Sequence, residues 1–356
     1  MNRFTCVILR GLRNVAATAG FAILSCLSGA AIQADWDTAA AIDWPDGERE
    51  TYAVFDTLFM QRNNASYDTP LIVNVPTGTT VFSAADLQFA TAPGVRVVLG
   101  EHGPQGVGWE FGYVGVYGMF GSDVFAVGPS DAIVPPLTSG VYHFPDASIA
   151  RATYSSTLNM AEANLLFTHC HVNDRRRSGY SMERQRRNTT IDWITGFRWA
   201  GLDEQASLAF ASTATAPSSG FAVRTSSNLF AGQIGLRGRT QWRLWAVEGQ
   251  LKAGLAGASL AGSTSVIGDP SPVLPMPGGG AQAATVGGIF EMNTSIVRRL
   301  GESWWLRLGY NSFWLTGVAL APDQSALLAS SQDAPALDVN QTVWLTGANL
   351  GVEKRW

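Results

Sequence analysis

Lysine, cysteine and histidine are all scarce in this chain of 356 residues. Lys252 and Lys354 are its only lysines, so arginine carries nearly all the positive charge, and the formal net charge is -4. Nucleic-acid-binding proteins are usually basic, so this balance argues against that class. Cys6 and Cys26 would leave with a cleaved leader, which leaves Cys170 alone and excludes an intramolecular disulfide in the mature chain.

Long apolar runs are missing after the N-terminal region, so no later segment predicts a spanning helix. The N-terminal region itself predicts a secretory signal, because a basic stretch precedes an apolar run at 15–27 that is too short to span a membrane. Small residues follow, and Asp35 is the expected start of the mature chain. A lipoprotein cleavage site at Cys26 is the alternative. We therefore expect a signal peptide at 1–34 and an irregular lead-in at 35–50, ahead of the segment 51–356.

The final segment, 341–356, alternates in polarity, with one face mostly apolar and the other mostly polar or glycine. One face carries Trp344, Ala348, Leu350, Val352 and Trp356, and the other carries Gly347, Asn349, Gly351, Glu353 and Arg355. This period of two is typical of a strand between lipid and water. Asn349, Gly351 and Trp356 resemble the assembly signal of bacterial outer-membrane barrels, although Lys354 stands where an apolar residue is expected. We expect Lys354 to lie at the membrane interface, where a long side chain can reach water.

The same alternation recurs along the chain, for example at 107–120, 190–202 and 303–315. Short turns separate some of these segments, and longer polar loops separate others. The pattern predicts an all-β, antiparallel, up-and-down transmembrane barrel of about twelve strands, within a range of ten to fourteen. Together with the export signal, it predicts that 51–356 form an outer-membrane β-barrel. Closure requires the strand near 52–62 to pair with the last strand. A soluble β-sandwich or jelly roll is the alternative, and it would need an aliphatic core.

Several short motifs resemble, in their order and spacing, the β-barrel porin family that is abundant in planctomycete-type bacteria. They are Ala-Glu-Ala-Asn at 161–164, Gly-Phe-Arg-Trp at 196–199 with an expected acidic turn at 203–204, and the segments 225–235, 318–324 and 347–356. The resemblance implies an outer-membrane barrel. It implies transport only weakly, and it supplies no catalytic residue.

Polar residues on the strand faces opposite the apolar, lipid-facing residues are candidates for the barrel interior. They are Glu110, Glu162, Asn164, Asp192, Arg198, Arg307, Asn311 and Glu353. In a hydrated lumen such charges would create a transverse field and set selectivity. In a narrow barrel they could instead form a dry network that fills the interior. Twelve strands would fall between these cases, so both interpretations stay open.

The most charged stretch, 173–188, is predicted to be a long loop between two strands. Its basic residues are Arg175, Arg176, Arg177, Arg184, Arg186 and Arg187. The loop could meet anionic lipid or polysaccharide phosphates, or it could fold inward and favour anions at a constriction. A solvated loop with Asp174 and Glu183 as local partners is the third interpretation.

His169, Cys170 and His171 form the one metal-like sequence cluster, but neighbouring side chains on a strand point to opposite faces and cannot easily close one site. No metal and no cofactor is predicted. His102 and His143 lie in expected loops, and the chain has no Gly-x-Ser-x-Gly elbow. We therefore predict that the protein is not an enzyme, with a barrel hydrolase as the least favoured hypothesis.

These observations together predict a porin-like channel of the cell outer membrane that passes small polar solutes by diffusion. The alternative is a closed structural or surface-display barrel without transport. The expected partners are outer-membrane lipid and lipopolysaccharide, the barrel-assembly machinery during insertion, and small polar solutes. No nucleic acid is expected among them.

Overall fold

The computed structural model describes 49–64, 66, 68–74, 77–103, 105–127, 133–134, 147–174, 187–212, 219–267, 280–324 and 337–356. Thirteen strands lie in these ranges, together with a short 3-10 helix at 84–86. In this part of the chain, no helix combines the length and the apolar character needed to cross a membrane.

Ten of the strands form a closed antiparallel barrel, a number within the predicted range. The barrel strands are β1 (Glu50–Arg62), β4 (Ala92–His102), β5 (Val107–Ala126), β7 (Ile149–Asp174), β8 (Arg187–Ala211), β9 (Ser219–Trp242), β10 (Trp245–Ile267), β11 (Gly280–Arg299), β12 (Trp304–Val318) and β13 (Gln341–Arg355). Each strand pairs with its neighbour in sequence, and β1 pairs with both β4 and β13. The predicted pairing of the first and last strands is confirmed, with Tyr52 opposite Arg355 and Arg62 opposite Leu345.

The two ends of the barrel differ. At one end, called the turn end, short connections at 103–106, 243–244 and 300–303 join neighbouring strands, and β7 and β8 are joined there by a longer connection at 175–186, outside the described residues. β1 begins there and β13 finishes there. At the other end, called the loop end, longer connections carry the remaining elements. These are β2 (Pro70–Asn74), β3 (Thr80–Ser83), the 3-10 helix η1 (Ala84–Asp86) and β6 (Ile133–Val134).

A small three-stranded sheet, in the order β3-β2-β6, forms a cap together with η1. Leu71, Ile72 and Phe82 of the cap are buried in the same hydrophobic cluster as Leu58 and Phe313 of the barrel wall. The apolar positions of the cap therefore pack against inward-facing wall residues, and burial of this shared surface joins the cap to the barrel.

Two details differ from the sequence predictions. β8 runs without interruption through Asp203 and Glu204, where an acidic turn was expected. The carboxylate of Glu204 points inward and is fully paired there, so its polarity does not require a turn. In β5, the register shifts between Val116 and Met119, and Gly118 adopts a positive φ of 70°. This bulge turns Met119 inward, although simple alternation from residue 107 predicts that it faces outward.

The outer surface of the barrel is apolar. Large hydrophobic side chains are exposed on all ten wall strands, for example Phe55, Phe111, Leu255 and Leu308. Tryptophan side chains lie at two levels: Trp245 and Trp304 near the turn end, and Trp314 and Trp344 nearer the loop end. The outward positions between these levels carry no Asp, Glu, Lys or Arg in the described strands.

Candidate functional site

The barrel interior is the candidate functional site. All eight residues expected inside lie on inward faces of their strands: Glu110, Glu162, Asn164, Asp192, Arg198, Arg307, Asn311 and Glu353. Seven are buried, and the side chain of Glu162 is 10% exposed. They belong to one charged layer in the half of the barrel nearer the turn end.

Arg307 is the centre of the first cluster in this layer. Its Nη2 lies 2.8 Å from Glu248 Oε1, and its Nε lies 3.8 Å from Asp56 Oδ1. Its Nη1 donates to Glu353 Oε2. Arg239 reaches the same two glutamates, at 3.1 Å from Glu248 and 2.8 Å from Glu353. Five strands thus meet across the interior through two guanidinium groups, which present planar forks suited to carboxylates.

Lys252 is the centre of the second cluster. Its ammonium lies 3.6 Å from Glu110 and 4.0 Å from Glu291, and it donates a hydrogen bond to Glu162. Arg198 also binds both Glu162 and Glu291. A single lysine surrounded by three carboxylates from β5, β7 and β11 is a point charge that ties those strands together.

Arg237 joins the second cluster to the mouth of the barrel at the turn end. Its Nη1 donates to Glu110 at 2.6 Å, its Nη2 donates to the Tyr52 hydroxyl at 3.2 Å, and its Nε lies 3.3 Å from Asp192. His102 Nε2 lies 3.3 Å from the same Asp192 carboxylate, and the imidazole lies beside the Tyr52 ring. His102 therefore ends β4 with its side chain inside the mouth, rather than lying in a loop as the sequence suggested.

Amide side chains connect the clusters. Asn311 Oδ1 accepts from Arg96 Nη1 at 3.0 Å and from Asn293, while its Nδ2 donates to Asn349 at 2.8 Å. Arg96 also pairs with Asp56. A charge that is removed from water is costly unless it is paired and hydrogen-bonded. These bridges supply that pairing across the middle of the barrel.

The layer nearly balances its own charge. Its carboxylates are Asp56, Glu110, Glu162, Asp192, Glu248, Glu291 and Glu353, and its cations are Arg96, Arg198, Arg237, Arg239, Lys252 and Arg307. Pairing within the chain therefore neutralises most of the buried charge.

An apolar layer follows towards the loop end. Leu58, Met60, Phe313, Leu315 and Leu345 are each 0% exposed and pack in one cluster with the cap. Towards the loop end, the inward positions of β1, β12 and β13 thus change from charged to apolar, until Arg62 on β1 and Gln341 on β13. Water has no polar partners in such a layer.

A small polar cluster lies within the apolar half. Arg62 Nη2 lies 2.7 Å from Glu204 Oε1, and both side chains are 0% exposed. The Tyr154 hydroxyl donates to Glu204 Oε2 at 2.7 Å and accepts from Arg62 at 2.9 Å. Glu204 also accepts from the backbone N–H of Ala321, and the Arg62 guanidinium covers the Phe89 ring. This cluster fastens the segments at Phe89 and Ala321 to the barrel wall.

The sequence interpretation missed several members of the interior. They are Tyr52, Asp56, Arg62, Arg96, Glu204, Arg237, Arg239, Glu248, Lys252 and Glu291. The alternation of inward and outward positions along each strand would have identified most of them. Glu291, for instance, lies between inward Ile289 and Asn293, and Lys252 alternates with the exposed Leu251 and Ala253.

The other candidate residues lie elsewhere. His169 is exposed, and the side chains of Cys170 and His171 are outside the described part of the chain. Most of the basic stretch also falls outside it, as does His143. The structure shows only that β7 finishes at Asp174 and β8 begins at Arg187, both at the turn end.

These features define the class of protein: a closed, antiparallel, ten-stranded β-barrel with an apolar exterior and a filled interior. No family model matches the chain, and no curated protein matches it. Among solved structures, the chain is similar to the outer-membrane protease OmpT of Escherichia coli, with 9% identity over 88% of this chain and 97% of that chain and a TM-score of 0.45.

Two channels are also among the similar structures. The anion-selective porin of Comamonas acidovorans has 9% identity over 87% of this chain and all of that chain, with a TM-score of 0.16. The toluene transporter TodX of P. putida has 10% identity over 87% of this chain and 90% of that chain, again with a TM-score of 0.16. At these scores, the similarities do not assign an activity.

Proposed function

We propose that the protein is an outer-membrane β-barrel with a sealed interior, which anchors the cap and its neighbouring connections at one face of the membrane. This is the structural or display hypothesis rather than the porin hypothesis. The observation that carries it is the burial of the inward charged side chains. A water-filled lumen would leave these groups wetted, yet Asp56, Asn311 and Glu353 are 0% exposed.

The spacing of the aromatic levels supports the membrane assignment. Trp304 and Trp314 lie ten residues apart on β12. That is about 33 Å of strand at ~3.3 Å per residue, and roughly 25 Å along the axis for a strand tilted by ~40°. An apolar band of about 25 Å between aromatic girdles is what the bilayer requires.

Hydrogen bonds orient the tryptophans nearer the loop end. Trp344 Nε1 donates to Ser312 Oγ at 2.6 Å, and Trp199 Nε1 donates to Asn228 Oδ1 at 3.1 Å. Each indole thus satisfies its polar atom on a neighbouring strand while its ring remains on the outer surface. This arrangement suits the boundary between lipid and water.

The lengths of the strands support a display role. β12 and β13 have 15 residues each, whereas β7 to β10 have 23 to 26. β9 continues from the girdle near Asn228 to Ser219, which is roughly 20 Å beyond the membrane at ~3.3 Å per residue and ~40° tilt. Outward charges appear at this height, such as Arg224 on β9 and Asp203 on the neighbouring β8. The wall therefore rises above the bilayer and surrounds the cap.

The orientation follows from the connections. Transmembrane barrels of bacteria have short periplasmic turns and longer extracellular loops. By this rule the turn end faces the periplasm, and the cap faces the outside. The proposed activity is therefore passive: a rigid barrel holds a folded surface in the external medium.

Conductance in a planar bilayer tests the sealed interior. Protein that has refolded, as judged by its heat-modifiable gel mobility, should insert and give no conductance steps, whereas a porin refolded in parallel gives steps. Stepwise conductance, or swelling of vesicles in small sugars, would restore diffusion of small polar solutes as the function.

Cysteine labelling in intact cells tests the orientation. In a Cys170→Ser background, Thr77→Cys in the exposed part of the cap should react with a membrane-impermeant maleimide. Glu302→Cys in the turn at 300–303 should react only after the outer membrane is permeabilised. The reverse pattern would contradict the display role.

A further inference from the structure

The outer surface at the turn end carries an unusual row of residues. Around four neighbouring strands, Trp245 on β10 is followed by Arg298 on β11, Trp304 on β12 and Lys354 on β13, with Trp356 next to the last. We call these five residues the basic rim. Trp245 pairs directly with Arg298, and Trp304 pairs directly with Lys354, so each cation has an aromatic neighbour on the adjacent strand.

Both cations lie against indole rings. The Arg298 guanidinium carbon is 5.2 Å from the Trp245 ring centroid. Lys354 Nζ is 5.4 Å from the Trp304 ring and 5.3 Å from the Trp356 ring. These distances are within the range of cation–π attraction. The rings are 40% to 57% exposed, so they hold the charges at the surface without enclosing them.

No carboxylate in the described part of the chain forms an ion pair with Arg298 or Lys354. The outward faces of β10, β11, β12 and β13 carry no Asp or Glu. On β4, at the same level of the barrel, Glu101 lies 3.8 Å from Arg49, so the two charges offset each other. Arg298 and Lys354 thus give the outward faces of these four described strands a net positive charge at this level.

We propose that the basic rim binds the phosphodiester headgroup of anionic phospholipids. This inference rests on the membrane assignment above. The tryptophans fix the depth of the cations at the interface, where lipid phosphates lie. A Lys or Arg near an anionic lipid surface contributes about 1 kcal/mol of attraction. Exposed Ile296, Leu306 and Val352, one outward position nearer the loop end, add apolar surface for the acyl chains beneath.

The geometry also explains why the site should prefer anionic lipid over any lipid. Zwitterionic headgroups carry their own cation, which would compete with Arg298 and Lys354 for the phosphate. An anionic headgroup has no such cation. Each rim cation is already oriented by its indole partner, so less side-chain entropy is lost when a phosphate binds.

The test uses the full mature chain in nanodiscs that contain phosphatidylcholine and phosphatidylglycerol. Native mass spectrometry measures which lipid is retained. We expect the preference for phosphatidylglycerol to fall about fivefold in Arg298→Gln or Lys354→Gln, and roughly thirtyfold in the double variant, since each cation contributes ~1 kcal/mol. Arg298→Lys and Lys354→Arg should keep the preference, because they keep the charge.

The matched control is Arg151→Gln with Arg224→Gln, which removes two exposed outward cations near the loop end. This variant should keep the preference of the wild-type chain. An equal loss in the control, or no loss in the Arg298→Gln/Lys354→Gln variant, would overturn the lipid site. Failure of the wild-type chain to insert into any bilayer would instead overturn the membrane assignment itself.

Discussion

The two halves of the barrel interior are filled in opposite ways. Near the turn end, Arg307, Lys252 and their carboxylates fill the space through paired charges. Near the loop end, Leu58 and Phe313 fill it through apolar packing that continues into the cap. A ten-stranded wall encloses both, so the same backbone geometry supports two kinds of core.

The charged half and the apolar half of the interior depend on neighbouring side chains in different ways. A buried charge needs specific atoms at specific positions, because an unpaired group keeps its full desolvation cost. An apolar core needs volume and tolerates rearrangement of shape. The charged half should therefore be sensitive to the loss of a single pairing group, and the apolar half to the loss of volume. The substitutions below test this contrast, from the largest expected effect to the smallest.

Arg307→Met should give the largest effect. The side chain is 2% exposed and faces Asp56, Glu248 and Glu353. Its removal leaves Arg239 as the remaining partner of the two glutamates and Arg96 as that of Asp56. Because the buried carboxylates then outnumber the cations around them, the change should lower the free energy of unfolding by about 3–5 kcal/mol. Urea denaturation in vesicles measures it. Arg224→Met, an exposed arginine on the outer face, is the control and should change little. A loss below about 1 kcal/mol for Arg307→Met would show that the network is dispensable.

Phe313→Ala tests the apolar half. Phe313 is 0% exposed and packs in the cluster shared with the cap. The cavity and the lost burial should lower the free energy of unfolding by about 3 kcal/mol, and Phe313→Leu should cost roughly 1 kcal/mol. The bilayer should still show no conductance, because the charged half remains intact. Channel openings in Phe313→Ala would mean that the apolar half alone seals the barrel.

Alternation of residues predicts the inside and outside of this fold well. Glu110, Asp192 and Glu353 all face inward, as period-2 parity requires. The closing pair of strands also follows from the sequence, since a barrel has no free edge. Lys354 is exposed on the outer face at the turn end, between Trp304 and Trp356.

Other features depend on tertiary partners that a local pattern does not contain. Asp203 and Glu204 resemble a turn, but Glu204 is held within a strand by Arg62 and Tyr154, which are distant in sequence. The bulge at Gly118 turns Met119 to the inner face of the strand, and no strong sequence motif near it predicts this change. Likewise, Asp56 interrupts an apolar strand, and only the fold reveals Arg96 and Arg307 as its partners.

Tyr154→Phe tests the polar cluster inside the apolar half. The change removes a hydroxyl that accepts from Arg62 and donates to Glu204, while those two side chains still pair directly at 2.7 Å. The expected loss is about 1–2 kcal/mol in the free energy of unfolding. Tyr310→Phe, on the exposed outer face, is the control and should stay within about 0.5 kcal/mol. Equal changes in the free energy of unfolding of the two variants would show that the buried hydroxyl of Tyr154 does not stabilise the fold.

Met60→Leu should have the smallest effect on the free energy of unfolding. Set beside Lys252→Met, it compares the apolar half with the charged half most directly. Met60 is 0% exposed in the apolar half, so a swap that conserves volume should cost less than about 1.5 kcal/mol. Lys252→Met is a similarly conservative change of shape in the charged half, yet it removes the ammonium from Glu110, Glu162 and Glu291. If volume governed both halves, the two variants would unfold at similar urea concentrations. If pairing governs the charged half, Lys252→Met must unfold well before Met60→Leu, because no rearrangement of neighbouring side chains can replace the missing charge.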